Sequence, residues 1–437
     1  MSTPADQRPD HPDIALAVHQ DEYHQAGPGL RDIQAVVSVV VTGVRPAPAS
    51  AAEVVVIDCS ESMSWPQSKI EAARRATAAA VGLLPDGTRF AVVEGTDGAR
   101  VVYPGSRSLA VAGPGTRAEA VAAVRKLRPG GGTAMGSWLA LARGLLGETP
   151  GEIRHVLLLT DGRNETEQPG RLQQVLASCE GRFTCDARGI GDGWDARELG
   201  GIATRLHGTA AVVLQDTDLE AEFTAMMRAS MSRALPDLRL RLTPVPGVAV
   251  RYLRQVHPTD VDLTATGRPA GGRAVEFPTD PWGSETRHYQ LCLTADPADR
   301  PRDERLMLAE VQLAADAGAP VLPPAAPVLV RWTDGAQRSA PNPVSVHFST
   351  HGRLGEAVAD AYHAHQAGDR DRAEALLDRV LRLAHQLGDR STLDVLADLL
   401  VSTNPTKGRP ACANASTAGT STGCCWAAAT APPYRTT

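Results

Sequence analysis

No block of lysine or arginine stands out anywhere in the 437 residues, and the formal net charge is −6 with a pI near 6.1. That excludes the electrostatic footprint of a nucleic-acid or anionic-membrane binder. No uninterrupted apolar run approaches the ~20 residues a helix needs to span a bilayer. The opening Met1-Ser2-Thr3-Pro4-Ala5-Asp6-Gln7 lacks the charged-then-apolar order of a secretory leader, so a cytoplasmic location is expected. Cysteine is scarce: Cys59, Cys179, Cys185, Cys292, Cys412, Cys424 and Cys425 are irregularly spaced and fit reduced thiols, not a disulfide framework. Paired Cys-x-x-Cys units are missing. His11, His19 and His24 match no zinc spacing, and His363, His365 and His385 read as surface or core positions. What remains is 43% hydrophobic content, enough for real cores in about two to four domains.

The most informative stretch is Val54-Val55-Val56-Ile57-Asp58-Cys59-Ser60-Glu61-Ser62. Four consecutive β-branched residues predict a strand buried on both faces, as in a parallel sheet. Oxygen-bearing side chains follow at once, past the carboxyl end where open α/β sheets place ligands. Asp58, Ser60 and Ser62 alternate and can point to one locus, with Cys59 turned toward the core. One carboxylate and two hydroxyls suit a hard cation such as magnesium or manganese but carry too little charge to hold it alone. Gly130-Gly131-Gly132-Thr133 brings a further hydroxyl to the start of a helix with Met135, Trp138, Leu139, Ala142, Leu145 and Leu146 on one face. Val156 to Leu159 forms a second apolar strand, ending in Thr160-Asp161-Gly162. Helix capping by Asp58, Ser60 and Ser62 would account for neither Thr133 nor Asp161.

Asp-x-Ser-x-Ser, a Gly-flanked Thr and a strand-terminal Thr-Asp-Gly, in that order, resemble the metal-ion-dependent adhesion site of von Willebrand factor A domains, over about Ala51 to Ala234. The resemblance implies that Ser60, Ser62 and Thr133 contact the ion directly, and Asp58 and Asp161 directly or through water. The ion implied is Mg²⁺, with Mn²⁺ or Ca²⁺ as alternatives. Glu61 stands where the family commonly has glycine, adding a carboxylate at the rim.

Strands and helices alternate from Glu53 to Ala234, which predicts an α/β fold with a doubly wound, mostly parallel sheet. Residues 1–30 read as an irregular arm, and 31–48 as a strand that pairs with the β-rich region 236–348. That region's short alternating runs predict an antiparallel β-sandwich into which the α/β domain, 51–234, is inserted. Helical periodicity returns over 352–401 as a hairpin or three-helix region, and 402–437 has a disordered composition. The layout resembles that of bacterial intracellular A-domain proteins.

The resemblance implies protein binding through an acidic side chain, Asp or Glu, of a partner that completes the cation's coordination, in a regulatory assembly. Glu61, Met63, Trp65, Arg163 and Asn164 would form the contact rim, Trp65 foremost. A magnesium-dependent phosphohydrolase of the haloacid dehalogenase type also begins with a strand ending in Asp. It needs a second carboxylate two residues on, where Ser60 stands, and a hydroxyl is no acid/base near neutral pH. No enzyme activity is therefore expected. A third reading is a metal-independent scaffold that binds through the C-terminal helices.

Overall fold

The computed structural model describes residues 12–44, 51–147, 153–191, 193–213, 215–233, 235, 238–315, 321–335, 342–389 and 393. The chain divides into two compact units, each assembled from separate stretches of sequence.

The first unit opens with β1 (Asp13–Gln20), β2 (Tyr23–Gln25) and β3 (Arg31–Thr42). This corrects the irregular arm expected for residues 1–30: within its described part, residues 13–20 and 23–25 are strands. Ile14, Leu16 and Val18 alternate inward, and β1 pairs antiparallel with β3 from Asp13↔Thr42 to Gln20↔Ala35. A long β-branched neighbour thus satisfies the backbone of a segment whose own propensity is weak.

The second unit runs β4 (Ala51–Asp58), α1 (Ser68–Gly82), β5 (Arg89–Gly95), β6 (Ala99–Tyr103), β7 (Ala110–Val111), α2 (Pro114–Val124), α3 (Met135–Leu146), β8 (Ile153–Thr160), α4 (Arg171–Cys179), β9 (Thr184–Ile190), α5 (Ala196–Arg205), β10 (Ala210–Val213) and α6 (Leu219–Ser232). Its sheet has the order β10-β9-β8-β4-β5-β6, with β7 also on β5. Pairing is parallel from β10 to β5 and antiparallel at β6 and β7. Strand parity sorts the core. Val55, Ile57, Leu157 and Leu159 pack with α1, α2 and α6, while Val54, Val56, Val156 and Leu158 pack with α3, α4 and α5. Burial on both faces explains why β4 and β8 read as continuous apolar runs.

The first unit resumes with β11 (Arg239–Pro244), β12 (Val248–His257), β13 (Val261–Asp262), β14 (Arg268–Pro269), β15 (Val275–Pro278), β16 (Thr286–Ala295), β17 (Leu306–Ala314) and β18 (Ala326–Thr333). Two sheets, β1-β3-β16-β12-β13 and β14-β15-β11-β17-β18-β2, share one apolar core. The alternation Val248, Val250, Tyr252 does not hold to its end. A bulge between Val250 and Tyr252 shifts the register, so that Leu253 is buried in place of Tyr252.

Two helices follow, α7 (Pro343–Gln366) and α8 (Arg370–Leu387). The helix expected from Gly352 begins earlier because the Asn342 side chain accepts from Val344 N and Ser345 N, with Pro343 opening the first turn. Leu396, Leu400 and the 402–437 tail lie outside the described residues.

Near the start of α7, the Phe348 ring lies tilted against the buried His288, centroids 4.7 Å apart, and His288 Nδ1 bonds Ser38 Oγ at 2.7 Å. Burial, and then the nearby His257, His19 and His347, push the His288 pKa down to about 4. Its folded pKa lies below the unfolded ~6.5, so its contribution is present above that pH and is lost as pH falls toward 4. Acidification through this window is expected to cost on the order of 1–2 kcal/mol. His288→Gln should flatten that part of a thermal-melt pH profile.

Candidate functional site

Strand order creates the site. From β4 the chain adds β5 on one side, and β8 lies on the other, so the connections diverge above the carboxyl ends of β4 and β8. A crevice at such a switch point is where open α/β sheets bind ligands. Ile57 pairs with Leu159 in register, which sets Asp58 beside Thr160 at the floor.

From there the oxygens form a chain. Asp58 Oδ1 accepts from Ser60 N at 2.7 Å and Oδ2 from Thr160 Oγ1 at 2.5 Å. Ser60 Oγ and Ser62 Oγ are 2.9 Å apart, and Ser62 Oγ donates to Asp161 Oδ1 at 2.6 Å. Thr133 joins from the glycine-rich loop: a Cβ placed on Gly162 would lie 3.0 Å from Thr133 Oγ1 and 3.5 Å from Ser62 Oγ. All five residues expected from the sequence therefore lie in one oxygen-lined locus. The loops are tied by backbone, with Glu61 N on Gly131 O at 2.9 Å and Gly130 N on Cys59 O at 2.8 Å. Gly131, at φ +79, takes a conformation other residues rarely adopt.

Ligands held at about 2.1 Å around a six-coordinate ion stand roughly 3.0 Å apart along each octahedral edge. The Ser60–Ser62 spacing of 2.9 Å matches that edge. With oxygen as the only donor atom, the residues fit a hard divalent ion. The electrostatics agree: burial first, and then the charge of Asp161, push the Asp58 carboxyl up to about 6 against the bonds from Ser60 and Thr160. Burial drives the Cys59 thiol far above its usual range, so it serves the core and not a ligand set. No cluster of three or more His, Cys, Asp or Glu suited to a metal occurs among the described residues.

The rim differs from expectation at two positions. Met63 is fully buried in the core under the 3₁₀ turn Glu61–Ser64, because that turn rotates it inward. Asn164 points back into the protein, its Oδ1 accepting from Met135 N at 2.7 Å. Glu61 and Arg163 are exposed, and Trp65 is 82% exposed.

Several contributors escaped the sequence reading. Glu167 accepts from Gly136 N, Ser137 N and Ser137 Oγ at 2.9, 2.7 and 2.7 Å, and so caps α3 from another loop. Thr166 Oγ1 accepts from Thr133 N at 2.9 Å and Asp97 Oδ1 from Gly132 N at 2.6 Å. Together they hold Thr133 in place. Glu167→Ala is expected to cost about 1–2 kcal/mol, read by urea unfolding. Lys69 donates to Asp161 Oδ2 at 2.7 Å. Its one sequence signal is position: as the second residue of α1, a cation there opposes the helix dipole and calls for a carboxylate partner.

A family model described as von Willebrand factor type A domain matches residues 52–212. Among solved structures, a von Willebrand factor type A protein from Catenulispora acidiphila is 34% identical, covering 98% of this chain and 99% of that chain with a TM-score of 0.89. The ArnB paralog VWA2 from Sulfolobus acidocaldarius is 10% identical, covering 95% and 97% with a TM-score of 0.57, and shares the fold alone. No curated protein matches the chain.

Proposed function

The chain belongs to the von Willebrand factor type A family, and from that premise we propose that it is a metal-dependent protein-binding module with no enzymatic activity. Ser60, Ser62 and Thr133 would hold Mg²⁺ directly, with Asp58 and Asp161 direct or through water. The bound ion supplies a Lewis-acid position that an Asp or Glu of a partner protein can enter in place of water. The protein residues shape the approach: Trp65 offers an exposed aromatic contact, flanked by the charges of Glu61 and Arg163. The setting proposed is a bacterial cytoplasmic regulatory assembly; no described helix is long and apolar enough to cross a membrane.

One observation carries this reading. The hydroxyls of Ser60 and Ser62 stand at ligand-to-ligand spacing above the switch point, with the Asp161 carboxylate hydrogen-bonded to Ser62 and Thr133 beside them. A phosphohydrolase would require an acid/base where Ser60 stands. Calorimetric titration with MgCl₂ should show one site per chain, and the reading fails if no uptake occurs at millimolar concentration. Partner protein captured in Mg²⁺ should elute with chelator. Trp65→Ala is expected to weaken that capture by about 2 kcal/mol, near thirtyfold, while leaving ion uptake unchanged.

A further inference from the structure

The lysine on the site's carboxylate was not expected from the motif. Lys69 Nζ lies 2.7 Å from Asp161 Oδ2, with the lysine side chain 15% exposed and the aspartate 0%. Asp161 is thus shared: Oδ1 faces the oxygen chain through Ser62, and Oδ2 faces a fixed ammonium. The lysine stem runs beside Gly191, where a Cβ would lie 3.6 Å from Lys69 Cε, an ordinary packing distance.

The ionised groups in hydrogen-bond contact with the oxygen chain, among the described residues, are Asp58, Asp161 and Lys69, a sum of −1. A divalent cation brings that sum to +1, one negative charge short of balance, and an incoming carboxylate restores zero. Without the lysine the same site would be neutral with the ion alone, and a further anion would leave it with an unbalanced charge of −1. Buried, unbalanced charge is costly, so the balance point decides which combination of ligands the site prefers.

We propose that Lys69 is a tethered counter-charge that weakens uptake of the cation alone and couples it to an acidic partner group, so that ion and carboxylate bind cooperatively. This rests on the cation reading given above and specifies how that site is regulated. Lys69 acts through Asp161 and through its charge; it is a positioning residue, not a ligand.

The test uses the full chain, with Mg²⁺ alone and Mg²⁺ with acetate as the probes, by calorimetry at pH 8 and constant ionic strength. Lys69→Gln keeps a donor for Asp161 and removes the charge; Lys69→Met removes both, and Lys69→Arg keeps the charge. For the wild-type protein, Mg²⁺ affinity should rise severalfold when acetate replaces chloride. In Lys69→Gln and Lys69→Met, affinity in chloride should rise about tenfold and the acetate effect should vanish, while Lys69→Arg should behave as wild type. A merely structural lysine would not produce a gain of affinity on removal. Equal or weaker Mg²⁺ binding by Lys69→Gln, or an acetate effect equal in all variants, overturns the proposal while leaving the cation site standing. Absence of Mg²⁺ uptake by wild type and variants alike overturns the cation reading and this inference with it.

Discussion

Replacing His155 with alanine is expected to cost the α/β unit about 3–5 kcal/mol. The imidazole is buried between two buried carboxylates, with Nδ1 2.7 Å from Glu53 Oε1 and Nε2 2.9 Å from Asp186 Oδ2. Ser230 Oγ donates to Glu53 at 3.1 Å, and the Thr209 amide and hydroxyl donate to Asp186. Without the histidine, two carboxylates remain in the core with no cation between them. Hydrogen exchange at the β4 and β8 amides would read the loss locally, and protection equal to wild type would refute it.

The same cluster sets a pH window. Burial favours the neutral imidazole, but the charge of Glu53 and the bonds to both carboxylates outweigh it and carry the His155 pKa up to about 9. A folded pKa above the unfolded ~6.5 gives stability that is complete below that value and lost as pH rises through about 9. Asp186 moves the other way. Burial would raise its pKa, yet the hydrogen bond and charge of His155, helped by Arg233 and Thr209, hold it well below the usual carboxylate range. Its contribution is present above the unfolded ~3.9 and lost as pH falls below it. His155→Ala should therefore abolish the alkaline limb of the unit's pH–stability profile.

The second large effect is on cation uptake. Asp58→Asn should lower Mg²⁺ affinity by at least about a hundredfold while the protein stays folded. A unit charge about 4 Å from a divalent ion, at an effective dielectric near 20, is worth roughly 8 kcal/mol before desolvation. Losing a third of that is already about two orders of magnitude. Asparagine keeps an acceptor for Ser60 N or Thr160 Oγ1, so the loop retains its anchor. Alanine removes both anchors, and Asp58→Ala should additionally loosen the loop of Ser60 and Ser62. Calorimetry with a thermal melt of each variant separates charge from anchoring, and undiminished uptake by Asp58→Asn would refute the assignment.

Much of the α/β unit was legible because its signals are local. A strand buried on both faces must be apolar throughout, so β4 and β8 announced themselves and left Asp58 and Asp161 at their ends. Helix periodicity placed α3 for the same reason. The start of α7 was missed, because its apolar periodicity becomes clear only after Gly352 and the cap from Asn342 is a single local signal ahead of it.

What depended on pairs far apart in the chain was not legible. A side chain's rotation out of or into a rim depends on the turn beneath it, which is why Met63 went to the core and Asn164 to the end of α3. Tyr252 lost its place to Leu253 because a bulge reverses the parity of the residues that follow it, here up to the second register shift after Gln255. Sequence alone determined which residues carry oxygen and on which kind of element each sits, since covalent spacing and burial pattern are properties of the chain itself. Tertiary structure decided their convergence, the caps from Glu167 and Asn164, and the ammonium of Lys69 on Asp161, because hydrogen bonds between separate loops are set by packing and leave no periodic mark.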